Sequence, residues 1–125
     1  MKTIKINVSS GSYEIKLGYG ILKNLPDLLE QINISGKVII ITDTNVSSLY
    51  LDMLKEILKD KYDLDEVIIP AGEEYKTLDT VYGIYEKLSE INVTRKDTIL
   101  AFGGGVTGDI SGFCAATYLR GISYV

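Results

Sequence analysis

Four apolar runs alternate with three segments of helical periodicity, and this alternation limits the folds that the chain can adopt. The runs are KVIIITD (37–43), DEVIIPAGEE (65–74), DTILAFGGG (97–105) and the final ISYV (122–125). The helical segments between them cover residues 46–60, 78–91 and 106–119. An order of β-α-β-α-β-α-β predicts an α/β fold in which helices pack on a parallel sheet through right-handed crossovers.

The residues before the first of these runs predict a separate element. TIKINV (3–8) and SYEIKLG (12–18) alternate apolar and polar side chains around SSG, which indicates a two-stranded hairpin. GILKNLPDLLEQI (20–32) has helical spacing, and Pro26 requires that helix to begin near it or to kink.

The apolar pattern also predicts which residues form the core. The run that begins at residue 37 is typical of a strand that is buried on both faces, and the run that begins at residue 65 predicts a second buried strand that stops at Pro70. Cys114 is expected in the core. The helix over 46–60 is amphipathic, and its apolar side is predicted to carry Leu49, Met53, Leu54, Ile57 and Leu58.

The composition excludes several classes of function. A length of 125 residues with 46% apolar residues suits one domain with its own core. The net charge of −4 argues against a nucleic-acid partner, and no apolar run approaches the ~20 residues of a membrane span. No signal peptide is recognisable, and a single cysteine predicts a reducing cytoplasm. Because the chain has no histidine, we exclude a self-contained histidine-dependent enzyme.

A glycine-rich turn follows the third predicted parallel strand. Gly103, Gly105 and Gly108 satisfy the pattern G-x-G-x-x-G between a strand and a helix. There the missing side chains allow a phosphate to approach the backbone N–H groups at the start of the helix. A tight turn that binds no ligand is the alternative. In the common dinucleotide fingerprint this turn follows the first strand, and an acidic ribose ligand lies ~20 residues later. Here no Asp or Glu follows Asp109.

Any carboxylate for a ribose must therefore come from upstream. Asp43 and Asn45 follow the first parallel strand, and Glu73 and Lys76 follow the second. Because parallel strands end at the same edge of a sheet, the loops 43–45, 72–76 and 103–109 are expected to converge. Taken singly, Asp43 or Asn45 suits a helix N-cap, and Glu73 with Lys76 suits an exposed ion pair.

Two charged residues mark the ends of the last helix. Asp109 is expected in its first turn, where a carboxylate stabilises the helix dipole by roughly 0.3–1 kcal/mol. Because it would repel a phosphate, Asp109 is expected to face the nicotinamide ribose or the reaction centre if a dinucleotide binds. Arg120 lies at the other end, as a dipole partner or as an anion ligand across a subunit interface.

Three motifs together resemble one enzyme family. TDTNV, PAGEEYKT and GGGVTGDISGFCAATYLRGI, in this order and spacing, are similar to the amino-terminal domain of 3-dehydroquinate synthases over roughly residues 38–125. The resemblance implies a Rossmann-like sheet, tightly held NAD and a divalent metal, zinc or cobalt. Members convert 3-deoxy-D-arabino-heptulosonate 7-phosphate to 3-dehydroquinate and phosphate in the shikimate pathway, which leads to chorismate and the aromatic amino acids.

The resemblance also implies roles for individual residues. The adenosine half of NAD would lie against Asp43, Asn45, Glu73 and Lys76, with Gly72 beside them. The pyrophosphate would lie over Gly104, Gly105, Val106, Thr107 and Gly108, and the nicotinamide side would meet Asp109. Arg120 would bind the phosphate of the sugar-phosphate substrate in the neighbouring subunit of a homodimer.

Other features of the family are missing. In the family, a threonine pair, lysines, a glutamate and two histidines follow, and a helical carboxyl-terminal domain completes the enzyme. None of these features is present here. We therefore expect residues 1–125 to be a truncated NAD-binding domain without catalytic or metal-binding residues, inactive as a synthase and weak in NAD binding.

Three alternatives remain open at this point. Another sugar-phosphate cyclase, such as 2-deoxy-scyllo-inosose synthase, has the same motifs. The glycerol dehydrogenase and iron-type alcohol dehydrogenase group has a similar glycine turn, although GEEYKT with ATYLRG fits the cyclases better. A stand-alone nucleotide-binding module without catalysis is the third alternative.

Overall fold

A four-stranded parallel sheet and a separate hairpin form the β-structure of the chain, which a computed structural model describes over residues 1–125. The strands are β1 (Lys2–Val8), β2 (Gly11–Leu17), β3 (Val38–Asp43), β4 (Leu64–Ile69), β5 (Thr98–Phe102) and β6 (Ser123–Tyr124). The helices are α1 (Leu25–Gln31), α2 (Thr44–Val46), α3 (Asp52–Leu58), α4 (Leu78–Glu90) and α5 (Gly105–Thr117). The sheet order is β4-β3-β5-β6, so the predicted α/β fold is confirmed.

Strand β3 is the centre of the sheet. It pairs in parallel with both β4 and β5, and residues 38–42 have no exposed surface. Because side chains alternate along a strand, Ile39 and Ile41 pack into one layer with α4 and α5. Val38 and Ile40 pack into the opposite layer with α1 and α3. The prediction that this strand is buried on both faces is confirmed.

Strand β4 is less buried than the sequence predicts. Val67 and Ile69 lie in the core, but Ile68 is 47% exposed. Because β4 pairs with β3 alone and forms the edge of the sheet, the helix layers centred on β3 leave its outer part uncovered. The prediction of a second buried strand is therefore confirmed for Val67 and Ile69 and wrong for Ile68.

The helix after β3 buries a narrower stripe than predicted. It consists of α2, a π-helical segment over Ser47–Leu51, and α3. The buried side chains are Leu51, Leu54 and Leu58. The prediction for Leu54 and Leu58 is confirmed, and Ile57 is half-buried. The prediction for Leu49 and Met53 is wrong, because they lie on the next row of the helix surface, beyond the sheet, and are 70% and 45% exposed.

The amino-terminal hairpin forms its own two-stranded sheet. Its antiparallel register places Ile4 opposite Ile15 and Ile6 opposite Tyr13, so one face is apolar. After a 3₁₀ turn, α1 begins at Leu25 with Pro26 in its first turn, where a missing N–H costs nothing. The hairpin and the expected position of Pro26 are confirmed. No helix in the structure combines the length and the apolar character that a bilayer crossing requires.

Buried Asp97 joins the starts of the two central strands. Its Oδ1 accepts a hydrogen bond from the backbone N–H of Lys37 at 2.8 Å, and its Oδ2 accepts one from the backbone N–H of Thr94 at 2.8 Å. Asp97 is only 7% exposed, so water has little access to these groups. The carboxylate therefore ties the segment before β5 to the first residue before β3.

We expect Asp97→Ala to lower the free energy of unfolding by about 2–3 kcal/mol, because two poorly hydrated N–H donors lose a charged acceptor. Urea denaturation measures the change. Asp60→Ala is the control, since exposed Asp60 makes no hydrogen bond or ion pair and its removal should change stability by less than ~0.5 kcal/mol. Equal effects from the two substitutions would contradict the structural role of Asp97.

Candidate functional site

The loops that follow β3, β4 and β5 meet at one edge of the sheet. The backbone N–H of Ala71, after β4, donates to Thr44 Oγ1, after β3, at 3.2 Å. The hydroxyl of Thr107, in the glycine turn after β5, lies 3.5 Å from Asp43 Oδ2. These contacts cross between the loops, so the predicted convergence is confirmed.

Asp43 caps the helix that follows β3. Its Oδ1 accepts a hydrogen bond from the backbone N–H of Val46 at 2.8 Å, while its Oδ2 faces Thr107. The N-cap interpretation of Asp43 is confirmed, and its contact with a ribose stays a prediction. Asn45 is exposed, and its carbonyl oxygen accepts a hydrogen bond from the hydroxyl of Ser48 at 2.9 Å. Asn45 therefore leaves its side-chain amide available at the same edge.

Close packing explains the first glycine of the turn. A Cβ at Gly103 would lie 2.9 Å from Thr107 Oγ1 and 3.0 Å from Thr107 Cβ. Thr107 is 1% exposed, so its side chain lies inside the turn and not on its outer surface. The turn therefore needs glycine at position 103 for its own packing.

The next two glycines leave the start of α5 open. Gly104 is the N-cap, and no side chain accepts a hydrogen bond from the first turn of the helix. A Cβ at Gly104 or Gly105 would meet no atom within 4 Å. Val106 is half-buried and packs on the core, so it adds little bulk outside. Free N–H groups and the positive end of the helix dipole thus face an uncrowded surface.

Asp109 forms an ion pair across this edge. α5 begins at Gly105, one residue earlier than predicted, so Asp109 lies at the start of the second turn and the prediction of a first-turn position is wrong by one residue. Its Oδ2 lies 2.8 Å from Lys76 Nζ, which is 4.0 Å from Glu73 Oε1. The hydrogen bond and charge of Asp109 raise the pKa of Lys76 above its usual value. The predicted Glu73–Lys76 pair is thus secondary to a pair between two loops.

Gly72 allows the loop after β4 to turn. Its φ of 126° is disfavoured for residues with a Cβ. A short 3₁₀ turn over Glu73–Tyr75 follows and brings Lys76 toward α5. Glu73 remains exposed, as a ligand at this edge must be.

Tyr124 belongs to the same edge, although the sequence analysis did not identify it. Its hydroxyl donates a hydrogen bond to the Gly108 carbonyl oxygen at 2.7 Å, and its ring covers Gly112 at 3.4–3.5 Å from a Cβ position. Burial and the charge of Asp109 raise the pKa of Tyr124. The signal in the sequence is the pair of glycines four residues apart, which leaves a flat strip on α5 for an aromatic ring.

Arg120 lies far from this edge, at the end of α5. It is exposed and makes no salt bridge. Leu119 and Arg120 both have positive φ, 50° and 64°, followed by Gly121 at 113°. Two consecutive non-glycine residues in this region are uncommon, so the turn that presents Arg120 is a strained one.

Two other groups bear on the chemistry of the chain. Cys114 is fully buried in the core, as predicted, and burial raises the pKa of its thiol to about 11. The structure contains no group of three or more Cys, Asp or Glu side chains that is placed to hold a metal ion.

A comparison with protein families gives this edge a context. The family model described as 3-dehydroquinate synthase N-terminal matches residues 66–125, which include the loop after β4, the glycine turn and all of α5. This chain is homologous to the amino-terminal domain of 3-dehydroquinate synthase.

Proteins whose sequences are similar to the whole of this chain are also 3-dehydroquinate synthases. The 3-dehydroquinate synthase of Clostridium kluyveri is 44% identical over 126 residues, and that of Clostridium acetobutylicum is 42% identical over 126 residues. Each alignment covers all of this chain and 35% of the relative. The chain therefore spans about a third of the length of these 3-dehydroquinate synthases.

Solved structures of related cyclases have the same fold as this 3-dehydroquinate synthase homologue. A crystal structure of 2-deoxy-scyllo-inosose synthase matches 98% of the chain and 35% of its own length, with a TM-score of 0.87 and 26% identity. A 2-epi-5-epi-valiolone synthase from Streptomyces hygroscopicus, with NAD+ and Zn2+ bound, matches 95% of this chain and 33% of its own, with a TM-score of 0.79 and 30% identity.

We expect Gly103→Ala to lower the free energy of unfolding by about 1–3 kcal/mol, because the new methyl group would press on the buried side chain of Thr107. Gly105→Ala makes the same exchange in open space, at the first position of α5, and should leave stability unchanged or raise it by up to ~1 kcal/mol. Thermal denaturation of the two variants measures the contrast. Similar melting temperatures would show that position 103 can relax.

Proposed function

We propose that this chain is the NAD-binding part of a 3-dehydroquinate synthase. The observation that carries the proposal is the open amino-terminus of α5, which lies where three loops meet and is left free by Gly104 and Gly105. Backbone N–H groups in this setting bind phosphate oxygens, and the helix dipole favours their negative charge. We assign the pyrophosphate of NAD to this position.

The flanking loops suit the rest of a dinucleotide. On the side of β3 and β4 we assign the adenosine half to Asp43, Asn45, Gly72, Glu73 and Lys76. Carboxylate and amide oxygens accept hydrogen bonds from ribose hydroxyls, and an ammonium group binds a phosphate as a point charge. We place Asp109 on the nicotinamide side. A related 2-deoxy-scyllo-inosose synthase, solved in complex with carbaglucose-6-phosphate, NAD+ and Co2+, supports this assignment through its fold, which matches 98% of the chain.

The reaction proposed for the whole protein is the conversion of 3-deoxy-D-arabino-heptulosonate 7-phosphate into 3-dehydroquinate and phosphate. Bound NAD supplies a hydride acceptor for transient oxidation of a substrate hydroxyl, before phosphate elimination, reduction and aldol closure. The residues of this chain hold and orient the cofactor. In this proposal the enzyme is a homodimer. It is placed in the cytoplasm, where a single cysteine without a disulfide partner stays reduced.

Arg120 is the residue of this chain that we assign to the substrate. Its guanidinium has no carboxylate partner, so it is free to bind a phosphate through two parallel hydrogen bonds. Because it lies at the far end of α5 from the glycine turn, we propose that it serves the neighbouring subunit.

Zinc or cobalt does not fit the residues of this chain. Zinc sites use three or four His, Cys or carboxylate ligands, and the chain has no histidine, one buried cysteine and no suitable acidic group. Residues 1–125 therefore provide no binding site for the metal of the related cyclases.

The activity of a different sugar-phosphate cyclase is the other candidate function. The fold of 2-deoxy-scyllo-inosose synthase matches this chain with a TM-score of 0.87, which supports this candidate at the level of the fold. The sequence favours the dehydroquinate reaction, since identity is 44% to a 3-dehydroquinate synthase and 26% to the inosose enzyme.

We expect the chain to bind NAD+ more weakly than the low micromolar range, and Gly105→Ala to weaken that binding about tenfold because a methyl group would occupy the pyrophosphate position. Titration calorimetry with NAD+ measures both affinities. Asp97→Ala, which is expected to destabilise the fold at the other end of the sheet, is the control and should leave the NAD+ affinity of the folded chain unchanged. Wild-type chain that binds no NAD+ at millimolar concentration would refute the proposed cofactor site.

We expect the purified 125-residue chain to show no synthase turnover with heptulosonate phosphate, NAD+ and Zn2+, because it holds no metal ligands. The assay follows phosphate release. Turnover that survives removal of trace contaminants would show that residues 1–125 contain a complete active site.

A further inference from the structure

We propose that Asp109 makes this site selective for a dinucleotide over a ligand that offers phosphate groups and a single nucleoside. The proposal rests on the NAD-binding function above. Asp109 is a carboxylate beside an anion site, where its charge alone would repel a bound phosphate.

Asp109 forms an ion pair with Lys76, the cation that the loop after β4 places beside the glycine turn. Lys76 Nζ lies 2.8 Å from Asp109 Oδ2 and only reaches Glu73 Oε1 at 4.0 Å. Both side chains are accessible, with 44% of Lys76 and 63% of Asp109 exposed. The pair is therefore open to an incoming ligand, and the ammonium group already has a counter-ion before the ligand arrives.

A phosphate that binds at the open end of α5 meets two penalties. Asp109 lies one helical turn beyond Gly105, so its negative charge is close to the anion position. The phosphate must also compete with this carboxylate for Lys76. A ligand that ends at its second phosphate, such as ADP, has nothing to offer the displaced carboxylate.

A dinucleotide has groups that can hydrogen-bond to the displaced carboxylate of Asp109. Beyond its pyrophosphate lies a second ribose, whose hydroxyl groups are hydrogen-bond donors. Asp109 is an acceptor that points into solvent on the outer surface of α5, where it can receive those hydroxyls once Lys76 turns to the phosphate. The same carboxylate thus opposes ADP and is satisfied by ADP-ribose or NAD+.

Titration calorimetry with ADP, ADP-ribose and NAD+ tests this selectivity in the 125-residue chain. We expect Asp109→Asn to tighten ADP binding about fivefold, since it removes the repulsion and frees Lys76. ADP-ribose and NAD+ gain from the same relief of repulsion, but they lose the stronger hydrogen bonds that a charged carboxylate accepts from the second ribose, so their affinities should change less than about twofold. The preference for the dinucleotide would then fall.

Two further variants separate the causes. Asp52→Asn makes the same change of charge in α3, on the opposite face of the sheet, where Asp52 is exposed and has no ion pair; it should leave all three affinities unchanged. In a Lys76→Gln background, Asp109→Asn should tighten ADP binding only about twofold, because the competition for the ammonium group is already gone.

The test distinguishes failure of the selectivity proposal from failure of the NAD-binding proposal. If the wild-type chain binds NAD+ but Asp109→Asn leaves the ratio of NAD+ to ADP affinity unchanged, the selectivity proposal is overturned and the cofactor site stands. An equal gain for all three ligands would also overturn it, since charge alone would then explain the effect. If neither the wild type nor Asp109→Asn binds any of the three ligands, both proposals fail.

Discussion

The parallel pairing of β3 with both of its neighbours is the constraint on which the rest of the structure depends. Asp43 is level with Ile69 in β4, and Thr42 is level with Phe102 in β5. Three strands that end at the same height must deliver their loops to one edge. The complete burial of residues 38–42 holds this register, because a slip by one residue would exchange the two core layers that cover β3.

Charge balance at that edge follows from the same arrangement. The open end of α5 carries partial positive charge, and one turn later the helix places a carboxylate on its outer surface. The loop after β4 supplies the ammonium group that neutralises this carboxylate. Hydrogen bonds made by Thr44 and Asp43 join the remaining loop to the other two, so the edge is held by polar contacts between segments that are distant in the sequence.

The element order and the convergence of the loops were accessible from the sequence because they follow from local pattern and from the geometry of parallel strands. The convergence required no knowledge of side-chain contacts. The partner of Lys76 was not accessible, since Glu73 is three residues away in the chain and Asp109 is thirty-three away. Only the folded backbone shows that the distant carboxylate is nearer.

The errors in the core have a related cause. Periodicity assigns apolar residues to one side of a helix or strand, but it does not reveal how wide the opposing surface is. Leu49 lies outside the stripe that the sheet covers, and Ile68 lies on an edge strand. Tyr124 was missed for the complementary reason, because its role depends on the groove that Gly108 and Gly112 leave on another element.

The buried thiol of Cys114 gives the molecule an internal reporter. It is the one cysteine of the chain, it lies among the side chains that join α5 to the sheet, and with a pKa of about 11 it stays protonated at neutral pH. The thiolate is the reactive form, so an alkylating reagent meets almost none of it while α5 is docked. The rate of alkylation therefore follows the fraction of molecules in which α5 has left the sheet. A ligand seated on the glycine turn would slow that reaction in proportion to its occupancy, so the thiol of Cys114 would report ligand binding without an engineered label.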